Sequence, residues 1–264
     1  MLFVSLQYYF AKNGLGFASP LLFMGLRFLI AGSFLLIFSK KLILDSNVVA
    51  ITLMIVASTI LWIYGLTLVS PSESAVISYS MPLFSIPLAT LIIHELPTRS
   101  EISGIFIGLA GVIVYSFPLL NGFTEIGVFI TFSNALFWGA YSVMFRKMRN
   151  YNASSLVSSV FLLGAVIILS LSLIDFHLNP KPIFFFDLFW LAIPAGAVST
   201  SLWNFMLMKS KVNRITVLCY SIPVLTMVYE IILSRKLPDI LSVVGILIMF
   251  LGIFISRKGG NKTF

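Results

Sequence analysis

Ten apolar runs, each parted from the next by a few polar residues, restrict this sequence to one kind of fold. They lie at about 1–11, 20–39, 48–69, 75–93, 102–120, 126–145, 154–174, 187–208, 215–234 and 240–256. A run of roughly 17 to 25 apolar residues matches the hydrocarbon core of a bilayer, and a helix is the structure that satisfies its own backbone there. Composition points the same way. Hydrophobic residues make up 59% of the chain and charged residues 10%, and the mean hydropathy of +1.06 lies outside the usual range of soluble domains. The expectation is an all-α polytopic membrane protein with ten transmembrane helices. The longest loop, about 175–186, contains His177, Pro180 and Pro182 and is too short to fold alone.

The first run is an exception. At roughly 1.5 Å per residue, about a dozen residues cannot cross a core of about 30 Å. Either this first helix is truncated or the true start lies upstream of Met1. It lacks the basic leader and small-residue cleavage site of a signal peptide.

The chain is also duplicated. Across Ser58 to Tyr115, residue n agrees with residue n+141 at 15 of 58 aligned positions. Trp62, Tyr79, Pro82, Pro97, Gly104 and Gly111 return as Trp203, Tyr220, Pro223, Pro238, Gly245 and Gly252. Further forward, Phe10, Lys12 and Ser19 match Phe145, Lys147 and Ser154 at an offset of 135. Each repeat then holds five spans, an odd number, so the two copies cross the membrane in opposite senses. The expected division is a first five-helix repeat over 1–120 and a second, inverted one over 121–264.

Basic residues orient this arrangement. If the N-terminus is cytoplasmic, twelve Lys and Arg residues fall on the inner side and four on the outer, Lys12, Lys181, Arg235 and Lys236; Arg27 lies within a span. Such a bias in short loops is the positive-inside signal of a multi-pass cell-membrane protein with both termini cytoplasmic. The net charge of +8 therefore needs no nucleic acid to explain it. The lone Cys219 excludes a disulfide framework, and His94 and His177 are too far apart to suggest a metal centre. No phosphate loop, nucleophile elbow or paired intramembrane carboxylates occur, so neither an enzyme nor a cofactor is expected.

Ten helices in an inverted repeat, Leu26-Arg27-Phe28 in the second span, and two copies of Tyr-Ser-x-Pro followed by an apolar run and a Leu-Pro turn resemble the EamA type of the drug/metabolite transporter superfamily. The resemblance covers nearly the whole chain. It implies a carrier of small metabolites with a central cavity formed by both halves, and it names no substrate. In that family a Gly-Glu pair usually follows the fourth helix. Here His94-Glu95 keeps the acid without the Gly, and the second copy reads Arg235-Lys236.

Polar and aromatic residues inside apolar helices are the candidates for the cavity. Asn134, Trp138 and Tyr141 form one stripe of the sixth span. Trp62 shares a face with Ser58 and Thr59, and Trp203 repeats it with Ser199 and Thr200, next to Asn204. Tyr79 and Tyr220 each stand three residues before a proline, which frees a carbonyl and bends a helix. Packing between helices is the competing explanation for any one of them. Taken together, Trp62, Tyr79, Trp203 and Tyr220 are expected to line one chamber.

Two charges are set inside spans at a cost of at least about 2.5 kcal/mol each on insertion scales. Arg27 reads either as an anchor for a substrate carboxylate or as a snorkelling or ion-paired residue. Glu230, taken as the one carboxylate within a span, reads either as a proton site or as a structural partner of Arg27. Gly104, Gly108 and Gly111 in the fifth span and Gly245 and Gly252 in the tenth invite close helix contact, within the chain or with a second copy in a homodimer. The leading expectation is a gradient-driven carrier of small amphiphiles, amino acids among them, working as an exporter. A lipid-linked or nucleotide-linked sugar carrier and a non-transporting membrane scaffold are the alternatives.

Overall fold

Asp45, Ser70, Thr98, Thr124 and Asn152 each begin a helix in the computed structural model. Their side chains accept the backbone N–H three residues on, from Val48, Glu73, Glu101, Gly127 and Ser155. Such caps satisfy donors that a helix start leaves open. At Ser70 and Thr98 the reciprocal bond is present too, with Glu73 and Glu101 reaching back to the cap N–H. The structure describes residues 2–39, 41–118, 124–222, 225, 228 and 239–258.

The helices are α1 (Leu2–Gly14), α2 (Pro20–Ser39), α3 (Ser46–Leu68), α4 (Pro71–Ser78), α5 (Met81–Ile93), α6 (Arg99–Ser116), α7 (Glu125–Lys147), α8 (Ala153–Ser172), α9 (Pro182–Trp190), α10 (Ser199–Lys209), α11 (Val212–Thr216) and α12 (Ile240–Lys258). A π-helical stretch, Leu191–Val198, joins α9 to α10, and a 3₁₀ turn, Val217–Tyr220, follows α11. Eight stretches of the described chain are long and apolar enough to cross a membrane, α4 with α5 and α9 through α10 each counting as one. Among the described residues no strand occurs, only an isolated bridge between Ala18 and Leu178. The chain is an all-α polytopic membrane protein.

The main helix contacts join the first half of the chain to the second. α2 lies along α8, α6 along α12 and α3 along α7, while α1 lies against α9 and the π-helical stretch. α6 and α12 approach most closely through glycine. A Cβ on Gly104 would stand 2.5 Å from the Gly252 carbonyl oxygen, and one on Gly252 would stand 2.5 Å from that of Gly104. The glycine faces thus meet each other inside one protomer.

Polar ties hold both ends of the bundle. At one end Lys12 Nζ donates to the Leu66, Val69 and Thr67 carbonyls at 2.6, 3.0 and 3.3 Å. This puts a cation where α3 ends in unpaired acceptors. At the other end Glu95 and Arg146 form an ion pair of 2.8 Å. Glu95 also accepts from the Val212 N–H at 3.0 Å, and Arg146 Nη1 donates to the Met208 carbonyl at 2.6 Å. One carboxylate and one guanidinium therefore join the ends of α5, α7, α10 and α11.

Two spans depart from the continuous helices expected of them. The fourth is broken at Tyr79–Ser80, because Pro82 has no N–H to continue the ladder. The eighth begins at Pro182, five residues before the expected boundary, and widens into the π-helix around Pro194. That earlier start corrects the reading of Glu230 as the one carboxylate within a span. Asp187 lies inside the eighth, fully buried, and accepts from Asn13 Nδ2 at 2.6 Å. Glu230 and Pro223 lie outside the described residues.

Candidate functional site

The breaks in these helices and the crossing of the two halves enclose a cavity of about 620 Å³. Its wall takes residues from α1, α2, α3, the α4–α5 break, α7, the π-helix with α10, and the segment at 218–222. Most of that wall is aromatic or aliphatic: Phe3, Tyr8, Trp62, Tyr79, Trp138 and Trp203 face in from different elements. A concave, mainly apolar chamber with a few placed polar groups is the usual form of a small-molecule site.

Among the described residues of the wall, Arg27 carries the charge. It is 8% exposed, and its position follows from the π-helix. Nε donates to the Leu191 carbonyl at 3.1 Å, in the widened turn before Pro194. Nη2 donates to Gln7 Oε1 at 3.3 Å, and Nη1 meets only the Met24 thioether at 3.8 Å. The guanidinium carbon stands 5.6 Å from the centre of the Trp62 ring, a cation–π distance. Among the described residues no carboxylate pairs with Arg27; the ion pair found there is Arg146 with Glu95.

Polar groups elsewhere in the wall are mostly paired with one another. Ser58 Oγ donates to Asn134 Oδ1 at 2.6 Å, and Asn134 Nδ2 donates to Ser78 Oγ at 3.3 Å, tying α3 to α7 and α4. The indole N–H groups of Trp62 and Trp203 are different. Both are buried, and among the described residues neither has a hydrogen-bond partner. Tyr8 packs edge-on to Trp62 with centroids 5.6 Å apart.

Of the residues expected to form a cavity, the structure brings together Arg27, Trp62, Tyr79, Asn134, Trp138 and Trp203. It sets three others behind the wall. Tyr141 is fully enclosed, and its hydroxyl accepts from Asn204 Nδ2 at 2.6 Å, so these two hold α7 to α10. Tyr220 does not share the chamber with Tyr79. Its hydroxyl donates to the Ile105 carbonyl at 3.1 Å, and its ring fills the space where Gly108 has no side chain. That socket has no counterpart in the other half, because position 108 becomes Met249 at the 141-residue offset.

Gln7 and Tyr8 belong to the wall and were not expected there. Gln7 is the single amide in the first apolar run, which was the signal available for it. The π-helix was likewise unexpected, although Pro194 followed by Gly196 inside a span marks the place. Among the described residues, no group of three His, Cys, Asp or Glu side chains is placed to hold a metal ion.

Known proteins resemble this chain in sequence, and a solved structure resembles it in fold. The sequence model of the EamA-like transporter family matches residues 1–117 and 125–257. An uncharacterized transporter in the sor 3′ region of Acidianus ambivalens is 42% identical over 243 residues, 91% of this chain and 96% of that protein. The uncharacterized transporter YoaV of Bacillus subtilis is 25% identical over 265 residues, covering 93% and 89%. A solved crystal structure superposes with a TM-score of 0.79 at 17% identity over 98% of this chain and 96% of its own, a likeness of fold.

Proposed function

We propose, from the premise that the chain belongs to the EamA-like transporter family, that it is a secondary carrier exporting small amphiphilic metabolites, amino acids and related acids among them. The cavity carries this reading. Its wall is shared by helices of both halves, so a rocking of one half against the other exposes the same residues to either side in turn. The proposed repeats are 1–120 and 121–264, packed with α2 on α8 and α6 on α12 across the pseudo-symmetry. The aromatic wall suits an apolar body, and Arg27 supplies a charge that fixes its orientation.

The excess of Lys and Arg on the Glu95 end supports a cytoplasmic location for that end in the cell membrane. An impermeant thiol reagent should label Asp175→Cys in intact cells and Asn150→Cys only after lysis, once Cys219 is replaced. The opposite pattern reverses the orientation. Function is tested with the purified chain in liposomes, measuring flux of a labelled panel of amino acids and organic acids with and without a pH gradient. Saturable flux, lost on replacing Trp203 by Ala, is the expected result. A panel that crosses no faster than in empty liposomes overturns the carrier reading.

A further inference from the structure

The cavity wall holds one guanidinium and two indole N–H groups whose donors are not all engaged among the described residues, and these donors name the headgroup that fits. A guanidinium carries five N–H donors in one plane. Arg27 directs one to the Leu191 carbonyl and one to Gln7 Oε1, and a third side of the fork meets only the sulfur of Met24. Two further donors, Trp62 Nε1 and Trp203 Nε1, are buried in the same wall without a partner among the described residues. Buried donors left unpaired are costly, and a buried cation without a counter-charge is costlier still.

The two amide oxygens of the wall are engaged. Gln7 Oε1 is taken by Arg27, and Asn134 Oδ1 by Ser58. No Asp or Glu occurs among the described residues of the wall. The Trp62 face, where a ligand ammonium could otherwise rest, already holds the Arg27 guanidinium. An ammonium entering this chamber would shed its water next to a like charge and meet no carboxylate among the described residues of the wall.

Resting on the carrier reading, we infer that the cavity selects organic monoanions. A ligand carboxylate takes the open side of the Arg27 fork and accepts from an indole N–H, while an uncharged apolar body lies against the aromatic wall. Zwitterions of the same shape are the poorer ligands, because their second charge has no partner. A charge-assisted pair of this kind discriminates strongly where the groups that make it are buried.

Four probes with one phenylpropyl-like body separate the headgroups: 3-phenylpropionate, phenylalanine, 3-phenylpropylamine and 3-phenylpropanol. Binding to the purified full chain in detergent is read by calorimetry and by quenching of tryptophan fluorescence. The expected order places 3-phenylpropionate first and phenylalanine at least about tenfold weaker, the ratio that one hydrogen bond to a charged group gives. The amine should bind weakest. Trp203→Phe keeps an aromatic ring and removes the N–H, so it should lower the preference for 3-phenylpropionate over 3-phenylpropanol about threefold or more, because the bond to the charged acceptor is the stronger. A role confined to packing would shift both equally.

Phenylalanine or 3-phenylpropanol binding as tightly as 3-phenylpropionate overturns the inference, as does the absence of binding by all four. So does a Trp203→Phe chain with an unchanged ratio of acid to alcohol. These outcomes leave the carrier reading standing, because that reading depends on flux of the wider panel in liposomes.

Discussion

At the scale of single residues, His94 shows how a departure from a family pattern acts on structure. It ends α5 in the left-handed conformation, with φ 55° and ψ 30°, and among the described residues no other non-glycine has positive φ. The Gly that resembling sequences usually carry before the acid would adopt this backbone without a Cβ clash. His94 is exposed, so its ring adds little burial in return. His94→Gly should therefore raise stability by about 1 kcal/mol, visible as a higher unfolding temperature in detergent. An unchanged or lower midpoint would show that the imidazole makes up for the backbone strain. Tyr79 and Tyr220 make a second point at this scale. They stand at equivalent places in the duplicated sequence, yet one faces the cavity and the other fills the Gly108 socket. Gly108 leaves the space that the Tyr220 ring occupies, and the equivalent position in the other half carries Met249.

At the scale of elements, the contact of α6 with α12 depends on the absence of side chains. Lipid tails are as apolar as leucine, so two membrane helices gain little from hydrophobic contrast and must associate by close packing. Gly252→Leu would drive a side chain into the Gly104 carbonyl and the Gly108 backbone, both 2.5 Å from the nearest possible Cβ. Overpacking of this kind should cost about 1–3 kcal/mol. Ala110→Leu, on an exposed face of α6, should be close to neutral in the same thermal unfolding assay. Equal losses from both changes would show that α6 and α12 do not meet through these glycines. The eighth span carries the other element-scale lesson. Its π-helical turn releases the Leu191 carbonyl toward Arg27, so an irregular segment becomes the support of the charge that the described wall carries.

At the scale of the whole molecule, the Glu95–Arg146 pair gathers four helix ends at one mouth of the bundle. Its side chains are 11% and 13% exposed, so solvent weakens it less than it would a surface pair. Glu95→Gln and Arg146→Met, alone and combined, should show a coupling of about 1–3 kcal/mol in unfolding. If the carrier alternates between two faces, this clasp is shut in the state seen here. Either single change should then raise the reactivity of a cysteine placed at Ser210, between α10 and α11, toward a thiol reagent. Additive losses with no rise in reactivity would make the pair a local tie and nothing more.

The all-α fold and the limits of most described spans were legible because each rests on a local pattern, and the duplication is itself a pattern of the sequence. Run length against bilayer thickness marks a span, and Trp62 with Trp203 or Gly104 with Gly252 mark a repeat. Arg27, Trp62, Tyr79, Asn134, Trp138 and Trp203 could be singled out for a similar reason, as polar or aromatic groups in apolar helices. Which of the candidates share a chamber was another matter. Tyr141 and Asn204 satisfy each other across α7 and α10, and Tyr220 finds its acceptor on α6. Those partners are 63 and 115 residues away in sequence, and no periodicity reveals them. Only the packed helices decided that, among the described residues, two indole N–H groups and part of one guanidinium remain without partners, because satisfaction of a buried donor depends on every element around it.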